Sequence, residues 1–357
     1  MKAAVLRDGK IAVEDVAEPR REAGQLLVRP LCCGICGSDL HARDNAEHLC
    51  ALVHRAGFRG FMDPAKPLVM GHEFCAEILE ASPDHAFARG QRVVALPFLN
   101  GPAGIELLGY SNRSYGAFAE QMLLQPELTF AVPDHVPDAI AALTEPLSVA
   151  VHAIAEAGVG PDDAFAVVGC GPVGLFVIAR LRALGVGPIL AIEPDPARRA
   201  MAEKMGADIV MAPGGSDQES WWTDLGLPLG LSDAMAVDPQ LRKRKRAILF
   251  ECVGKPAMLM RIAEDAPIGA KIVVIGNCME SDVIEPAFLL QKGLTLQFVF
   301  AYTADEFGDA FRMVCDHPDR LTPLLTGEVG LAETDRAFDT LAGGGGAIKL
   351  LINPAVH

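Results

Sequence analysis

What this chain lacks narrows it first. It has too little positive charge for a polyanion partner: 31 Lys and Arg against 46 Asp and Glu leave a net charge of -15, which nucleic acid or an anionic membrane would repel at long range. No apolar run reaches the roughly 18 residues that a membrane span requires. The opening Met-Lys-Ala-Ala-Val-Leu-Arg-Asp carries charges on both sides of a short apolar patch, which leaves no core for a secretory signal. The nine cysteines are an odd number and, without such a signal, argue against a disulfide framework and for metal or redox chemistry. A cytoplasmic protein with no nucleic-acid or membrane partner is expected. The one strongly basic run, Arg242-Lys243-Arg244-Lys245-Arg246, directly precedes a strand-like segment and reads as a solvated loop or helix end.

What is present is organised around Phe-Ala-Val-Val-Gly-Cys-Gly-Pro-Val-Gly, residues 165–174. Four apolar residues before a glycine read as a buried parallel strand, and Leu175 to Ala179 as the first turns of a packed helix. Gly169 allows the tight turn, Gly171 lets a pyrophosphate approach the backbone across the start of the helix at Pro172 and Val173, and Gly174 lets that helix press on the sheet. A second apolar run, Ile189 to Ile192, ends in Glu193, nineteen residues beyond Gly174, where an acidic side chain takes the ribose hydroxyls of a dinucleotide. A carboxylate there accepts hydrogen bonds from both hydroxyls and repels a 2′-phosphate, so NAD is expected rather than NADP. Arg198 and Arg199 follow closely and would reverse that choice if turned toward the ribose. Further strand-like runs at 208–211, 248–254, 271–276 and 294–299 alternate with helical patterns, so an α/β fold with a doubly wound parallel sheet is expected from about residue 151 to 302. At 357 residues the chain has room for about two domains.

The opening third is different in kind. Ala3 to Leu6 and Ile11 to Val13 flank an Asp8-Gly9 turn, and residues 25–31 and 92–96 add strands, which together suggest a β-rich domain. Within it, Cys36 in Gly-Ile-Cys-Gly-Ser-Asp-Leu-His and His72-Glu73 in Gly-His-Glu-Phe supply a thiolate, an imidazole and a carboxylate. That is a ligand set for a catalytic zinc with one exchangeable position, provided the fold brings the two loops together.

Those two motifs, Thr-Glu-Pro-Leu at 144–147 and Gly-Cys-Gly-Pro-Val-Gly at 169–174, in this order, resemble the zinc-containing medium-chain dehydrogenase/reductase family, in the branch with alcohol, sorbitol and threonine dehydrogenases. The likeness runs over nearly the whole chain. It implies a GroES-like catalytic domain built from residues 1–150 and 303–357, around a Rossmann domain at 151–302. It also implies hydride transfer between a small alcohol, or its carbonyl product, and NAD, in a homo-oligomer. Cys36 and His72 would hold the zinc with Glu73 or Glu145, one carboxylate ligating and the other exchanging or acting through water. Ser38 would accept the hydroxyl proton and His41 would pass it on, while Asp39 anchors the Cys36 loop. Other readings are a zinc-free quinone or enoyl reductase of the same superfamily and a non-catalytic nucleotide-binding protein, against which Cys36, Ser38 and His72 speak.

Three departures from the family pattern stand out. No cysteine lies between Cys75 and Cys170, so the family's structural zinc is not expected. Cys36 and His72 are unusually far apart, with an insert from Asn45 to Lys66 that carries an amphipathic helical pattern and then Phe58, Phe61 and Met62. The insert is expected near the pocket, favouring a substrate with an apolar or aromatic body. The polar stretch from Gly214 to Arg246 has no role that the sequence identifies.

Overall fold

Asp8 and Gly9 both adopt positive φ, 48° and 74°, the backbone of a two-residue turn whose twist matches its flanking strands. Strands β1 (Lys2–Arg7) and β2 (Lys10–Asp15) accordingly pair from Arg7↔Lys10 to Lys2↔Asp15. The computed structural model describes residues 1–82, 85–101, 104–214, 216–236, 245–344 and 346–356. Arg242, Lys243 and Arg244 of the basic run lie outside them. The chain divides into two units, Met1–Pro146 with Ala304–His357, and Leu147–Thr303.

The first unit is built on β3 (Leu26–Gly34), which lies between the strand Glu73–Glu80 and the strand Lys349–Asn353. Both neighbours run antiparallel to β3, with Gly34 opposite Glu73 on one side and Leu351 on the other. Three chain segments far apart in sequence therefore reach one sheet end together. The strands Arg92–Ala95, Thr129–Ala131 and Leu325–Gly330 widen this sheet, Met122–Leu124 pairs with β3, and Phe98–Gly101 and Gly104–Leu107 form a separate pair. The second of these carries Glu106, which is buried and accepts hydrogen bonds from Ser111 (2.8 Å), Ser114 (2.6 Å) and Arg113 (2.7 Å). Those hydrogen bonds outweigh the cost of burial and hold its carboxyl below the usual carboxylate value. The amphipathic pattern of the insert is a helix, Ala46–Arg55, that buries Leu49 and Cys50.

The second unit is a six-stranded, wholly parallel sheet. Its strands lie in the order Ile209–Met211, Ile189–Ile192, Ala164–Val168, Ala247–Glu251, Lys271–Val274, Thr295–Phe298. Numbered along the chain, that is 3-2-1-4-5-6, the doubly wound arrangement in which the order reverses beside the first strand. Ala164–Val168 is buried at every position, as a central strand covered on both faces must be. The stretch from Gly214, read from its sequence only as polar, has a definite task. Its helix Ser216–Asp224 places Trp221 and Trp222, the only two tryptophans of the chain, in the core beside Leu190, Leu249 and Ile272. Arg246, at the end of the basic run, is clamped rather than merely solvated: Nε and Nη2 bond both carboxylate oxygens of buried Asp163, at 3.0 and 2.5 Å. One stretch among the described residues, Asp138–Ala157, has the length and hydropathy of a membrane span, but 72% of its apolar window is buried inside the protein.

Candidate active site and metal centre

The strand register explains why Cys36 and His72 meet. Gly34 ends β3 opposite Glu73, so the residues just past Gly34 and just before Glu73 emerge side by side. Gly71 holds its turn at φ 99°, and a Cβ there would press on the Phe118 ring at 2.7 Å and on Cys33 Sγ at 3.0 Å, so only glycine fits. Cys36 caps the helix Gly37–Asp44, with its own backbone N–H bonded to Asp39 Oδ2 at 2.9 Å. Asp39 therefore anchors the Cys36 loop.

One potential ligand atom each from Cys36, His72 and Glu73 lies within 4.8 Å of the others, the one such group of three or more among the described residues. His72 and Glu73 are buried and Cys36 is half-buried. Asp39 Oδ1 stands 3.4 Å from His72 Nδ1. Burial opposes charge on His72, but Asp39 and then the Cys36 thiol outweigh it and hold the ring's proton well above its ordinary pKa. Glu73 Oε1 is buried with no hydrogen-bond partner, whereas Oε2 receives the ammonium of Lys349. Lys349 is itself buried and also donates to Ile35 O at 3.0 Å. Burial works against its charge, but Glu73 and Cys36 overcome it and raise the lysine above its ordinary value, with a smaller contribution from Glu145. Glu145, in the first turn of the helix Thr144–Ala157, is buried but stands outside the three-residue group.

Ser38 and His41 lie three apart on the helix Gly37–Asp44 and so share a face. The Ser38 hydroxyl pairs with the Tyr110 hydroxyl at 2.8 Å, and that same phenol oxygen is 3.0 Å from Asp39 Oδ1. Burial, then the charges of Asp39 and Cys36, push the Tyr110 phenol well up, so it keeps its proton. The Tyr110 ring tilts on His72 at 5.2 Å and stacks on Phe61 of the insert, also at 5.2 Å and at 16° between planes. Met62, expected to offer apolar surface to a substrate, instead packs inward at 2% exposure; Phe58 and Phe61 remain half-buried. Tyr110 and Lys349 escaped the sequence reading. A lysine inside the otherwise apolar Ala-Ile-Lys-Leu-Leu-Ile, 347–352, was a visible signal, whereas nothing around Tyr110 was.

In the second unit, a Cβ on Gly174 would collide with Gly169 O, and one on Gly169 would press on Val253 at 2.7 Å, while nothing lies within 4 Å of one on Gly171. The last leaves the open space a phosphate needs beside the start of the helix Pro172–Ala183. Pro172 and Val173, in its first turn, are half-buried. Glu193 is buried, its carboxylate accepting from Cys170 N at 2.8 Å and Asp195 N at 2.9 Å. Arg199 is turned back onto the carbonyls of Glu193 and Pro194, each at 2.7 Å. Arg198 Nε is buried without a hydrogen-bond partner.

The first unit thus carries a Cys-His-Glu cluster at a sheet end, and the second a doubly wound parallel sheet. Residues 22–134 match the alcohol dehydrogenase GroES-like domain and residues 172–315 the zinc-binding dehydrogenase family. The chain is 29% identical to (R,R)-butanediol dehydrogenase of Bacillus subtilis (strain 168), over 99% of this chain and all of that protein. It is 26% identical to sorbitol dehydrogenase of the same organism, over 95% and 93% of the two. The crystal structure of 2R,3R-butanediol dehydrogenase from Bacillus subtilis superposes with a TM-score of 0.80 at 27% identity, covering 99% of both chains. The chain belongs to the zinc-containing medium-chain dehydrogenase/reductase family and is an alcohol oxidoreductase.

Proposed function

We propose that this protein is a zinc-dependent, NAD-linked alcohol dehydrogenase that binds about one zinc per chain through Cys36, His72 and Glu73. The observations that carry this reading are the convergence of ligand atoms of Cys36, His72 and Glu73 within 4.8 Å of one another and a buried Glu73 oxygen, Oε1, that lacks a partner. Thiolate, imidazole and carboxylate suit zinc, and a carboxylate behind the imidazole, as Asp39 is behind His72, is the usual support for such a ligand. When bound, zinc supplies Lewis-acid polarisation of the substrate oxygen and NAD takes the hydride. Cys36, His72 and Glu73 present the charge and geometry. Lys349 holds Glu73 in place, and Glu145 is the second carboxylate, exchanging or acting through water. Ser38 accepts the hydrogen bond of the substrate hydroxyl, with His41 on the same helix face as the outlet to solvent.

Gly169, Gly171, Pro172, Val173 and Gly174 form the pyrophosphate turn, and Glu193 takes the ribose hydroxyls. The fixed carboxylate of Glu193 favours NAD, and Arg199, spent on backbone carbonyls, does not oppose it; of the two arginines that follow Glu193, Arg198 is the one left to favour NADP. The substrate is a small alcohol, for which a vicinal diol such as 2,3-butanediol is the first compound to assay, against alcohols with a larger apolar body that the insert would favour. A homodimer through the outer strand Thr295–Phe298 accounts for Phe298, Phe300, Val283 and Leu290, which are 66%, 91%, 79% and 79% exposed. The nine free thiols suit the reducing cytoplasm.

Elemental analysis and initial rates test the core of the reading. Wild-type protein should carry about one zinc per chain and reduce NAD with an alcohol, and Cys36→Ser should lose both metal and turnover while keeping its circular dichroism. Two tightly held zinc ions per chain, or full turnover in Cys36→Ser, would refute it.

A further inference from the structure

The turn that follows the strand Gly104–Leu107 is tied down on one side and grips the insert on the other. Ser111, Arg113 and Ser114 all donate to buried Glu106, and Ser111 Oγ also accepts from the backbone N–H groups of Arg113 and Ser114, at 3.1 and 3.3 Å. Tyr110 and Asn112, the residues between these, reach the insert instead. An asparagine amide has one acceptor oxygen and two N–H donors, and Asn112 uses both ends: Oδ1 accepts from Asp63 N at 2.6 Å, while Nδ2 lies 3.0 Å from Pro67 O, 3.3 Å from Asp63 O and 3.4 Å from Lys66 O. One side chain gathers the far end of the insert. Just upstream, a Cβ on Gly60 would sit 2.4 Å from Ile105 O, so glycine is what lets the insert backbone close on that strand. Phe61 lies between these two anchors, and it stacks on Tyr110, whose ring also meets that of His72.

We propose that Asn112 is a positioning residue for substrate choice: by pinning residues 63–67 it holds Phe61 as a fixed apolar wall beside the metal ligands, and that wall selects alcohols whose carbon body extends beyond the carbinol. The inference rests on the reading of Cys36, His72 and Glu73 as the alcohol site, and it deepens that reading by naming what sets the length of the substrate. Phe61 is half-buried, with its stacked face covered by Tyr110 and the rest of the ring left to pack against a chain of CH2 groups. A ring carried on a loose loop would have to be ordered each time a substrate bound, and the cost of that ordering would weaken binding. The clamp removes this cost in advance. Asn112 touches the insert and no metal ligand, so its effect reaches the substrate only through Phe61.

The test measures initial rates with NAD and two probes, propan-2-ol and hexan-2-ol. Wild type should oxidise both, with the higher kcat/KM for hexan-2-ol; a protein that oxidises neither would refute the reading of the site and this inference with it. Asn112→Ala should lower the ratio of kcat/KM for hexan-2-ol over propan-2-ol roughly tenfold, the scale on which a hydrophobic pocket discriminates. The loss should fall on KM for hexan-2-ol, with zinc content unaltered. Asn112→Asp keeps the shape and the acceptor for Asp63 N but turns a carboxylate oxygen toward three carbonyls, so it should lose as much. In a Phe61→Ala background, where the wall is gone, Asn112→Ala should change the ratio no further. A readout without turnover is the fluorine spectrum of protein labelled with 3-fluorotyrosine. Its three tyrosines give three resonances, and the one lost in Tyr110→Phe should move in Asn112→Ala as it does in Phe61→Ala. A wild type that prefers propan-2-ol, an unchanged ratio in either Asn112 variant, losses that add in the double variant, or an unmoved Tyr110 resonance would overturn the proposal while leaving the alcohol site in place.

Discussion

Replacing Lys349 by methionine is the most direct probe of how the site is held. The two residues are close in volume, so the substitution removes a charge and little packing. Lys349 and Glu73 are 2% and 1% exposed, and no solvent can take over the lost interaction. Removing one partner of a buried ion pair typically costs about 3–5 kcal/mol, chiefly because the other charge is left uncompensated. For a unit of this size, each kcal/mol moves the unfolding midpoint by roughly 2–4 °C, so a fall of roughly 10 °C is expected in differential scanning calorimetry. Lys349→Met combined with Glu73→Gln should recover much of that loss, since the stranded charge is then gone. Saturating zinc should also narrow the gap between Lys349→Met and wild type, because a cation bound by Glu73 replaces the missing ammonium. A midpoint within 1–2 °C of wild type, or a double variant less stable than Lys349→Met, would show that the pair does not hold the Glu73 carboxylate as described.

Three other outcomes are expected. Glu193→Ala should cut kcat/KM for NAD by about tenfold or more and leave NADP nearly untouched, whereas Arg198→Ala should weaken NADP alone; a wild-type enzyme that prefers NADP would show that Arg198 prevails over Glu193. Glu106 has its carboxyl held below the usual value, so its contribution to stability is complete above the unfolded-state pKa of about 4.3 and fades as acid carries the pH through the lower folded value. The midpoint difference between wild type and Glu106→Gln should thus be constant from pH 7 to about 5 and shrink below pH 4, and a difference unchanged down to pH 3 would refute the network. Phe58→Ala should raise KM for bulky alcohols several-fold more than for ethanol, and an unchanged substrate profile would assign that part of the insert to packing.

Much of the fold was legible because its signals are local. The strand, the glycine turn and the helix around Gly169 lie within twenty residues, and so does the Asp8-Gly9 hairpin. Cys36 and His72 were recognisable because each sits in a short motif with glycine beside it. Lys349 was not, since its meaning depends on a partner 276 residues away that only the three-strand register brings near. Tyr110 was hidden for the same reason, as a hydrogen-bonding group whose partners lie 71 and 72 residues upstream. The stretch after Gly214 had no legible role for a different reason: its many polar residues masked two adjacent tryptophans, and two large side chains suffice to bury one face of a short helix.

The register of β3 also sets a timetable for synthesis. Its neighbour Lys349–Asn353 is translated long after Glu73, on the other side. At about 5–20 residues per second, the 276 residues that separate Glu73 from Lys349 take on the order of half a minute to emerge. Throughout that interval the Glu73 carboxylate has no ammonium to meet, and the sheet around it is missing one edge of its central strand. The six parallel strands of Leu147–Thr303 are contiguous in the chain and are all made within that interval. The unit Leu147–Thr303 is therefore the part that can finish folding first, while Cys36, His72 and Glu73 of the other unit wait for Lys349–Asn353 to arrive.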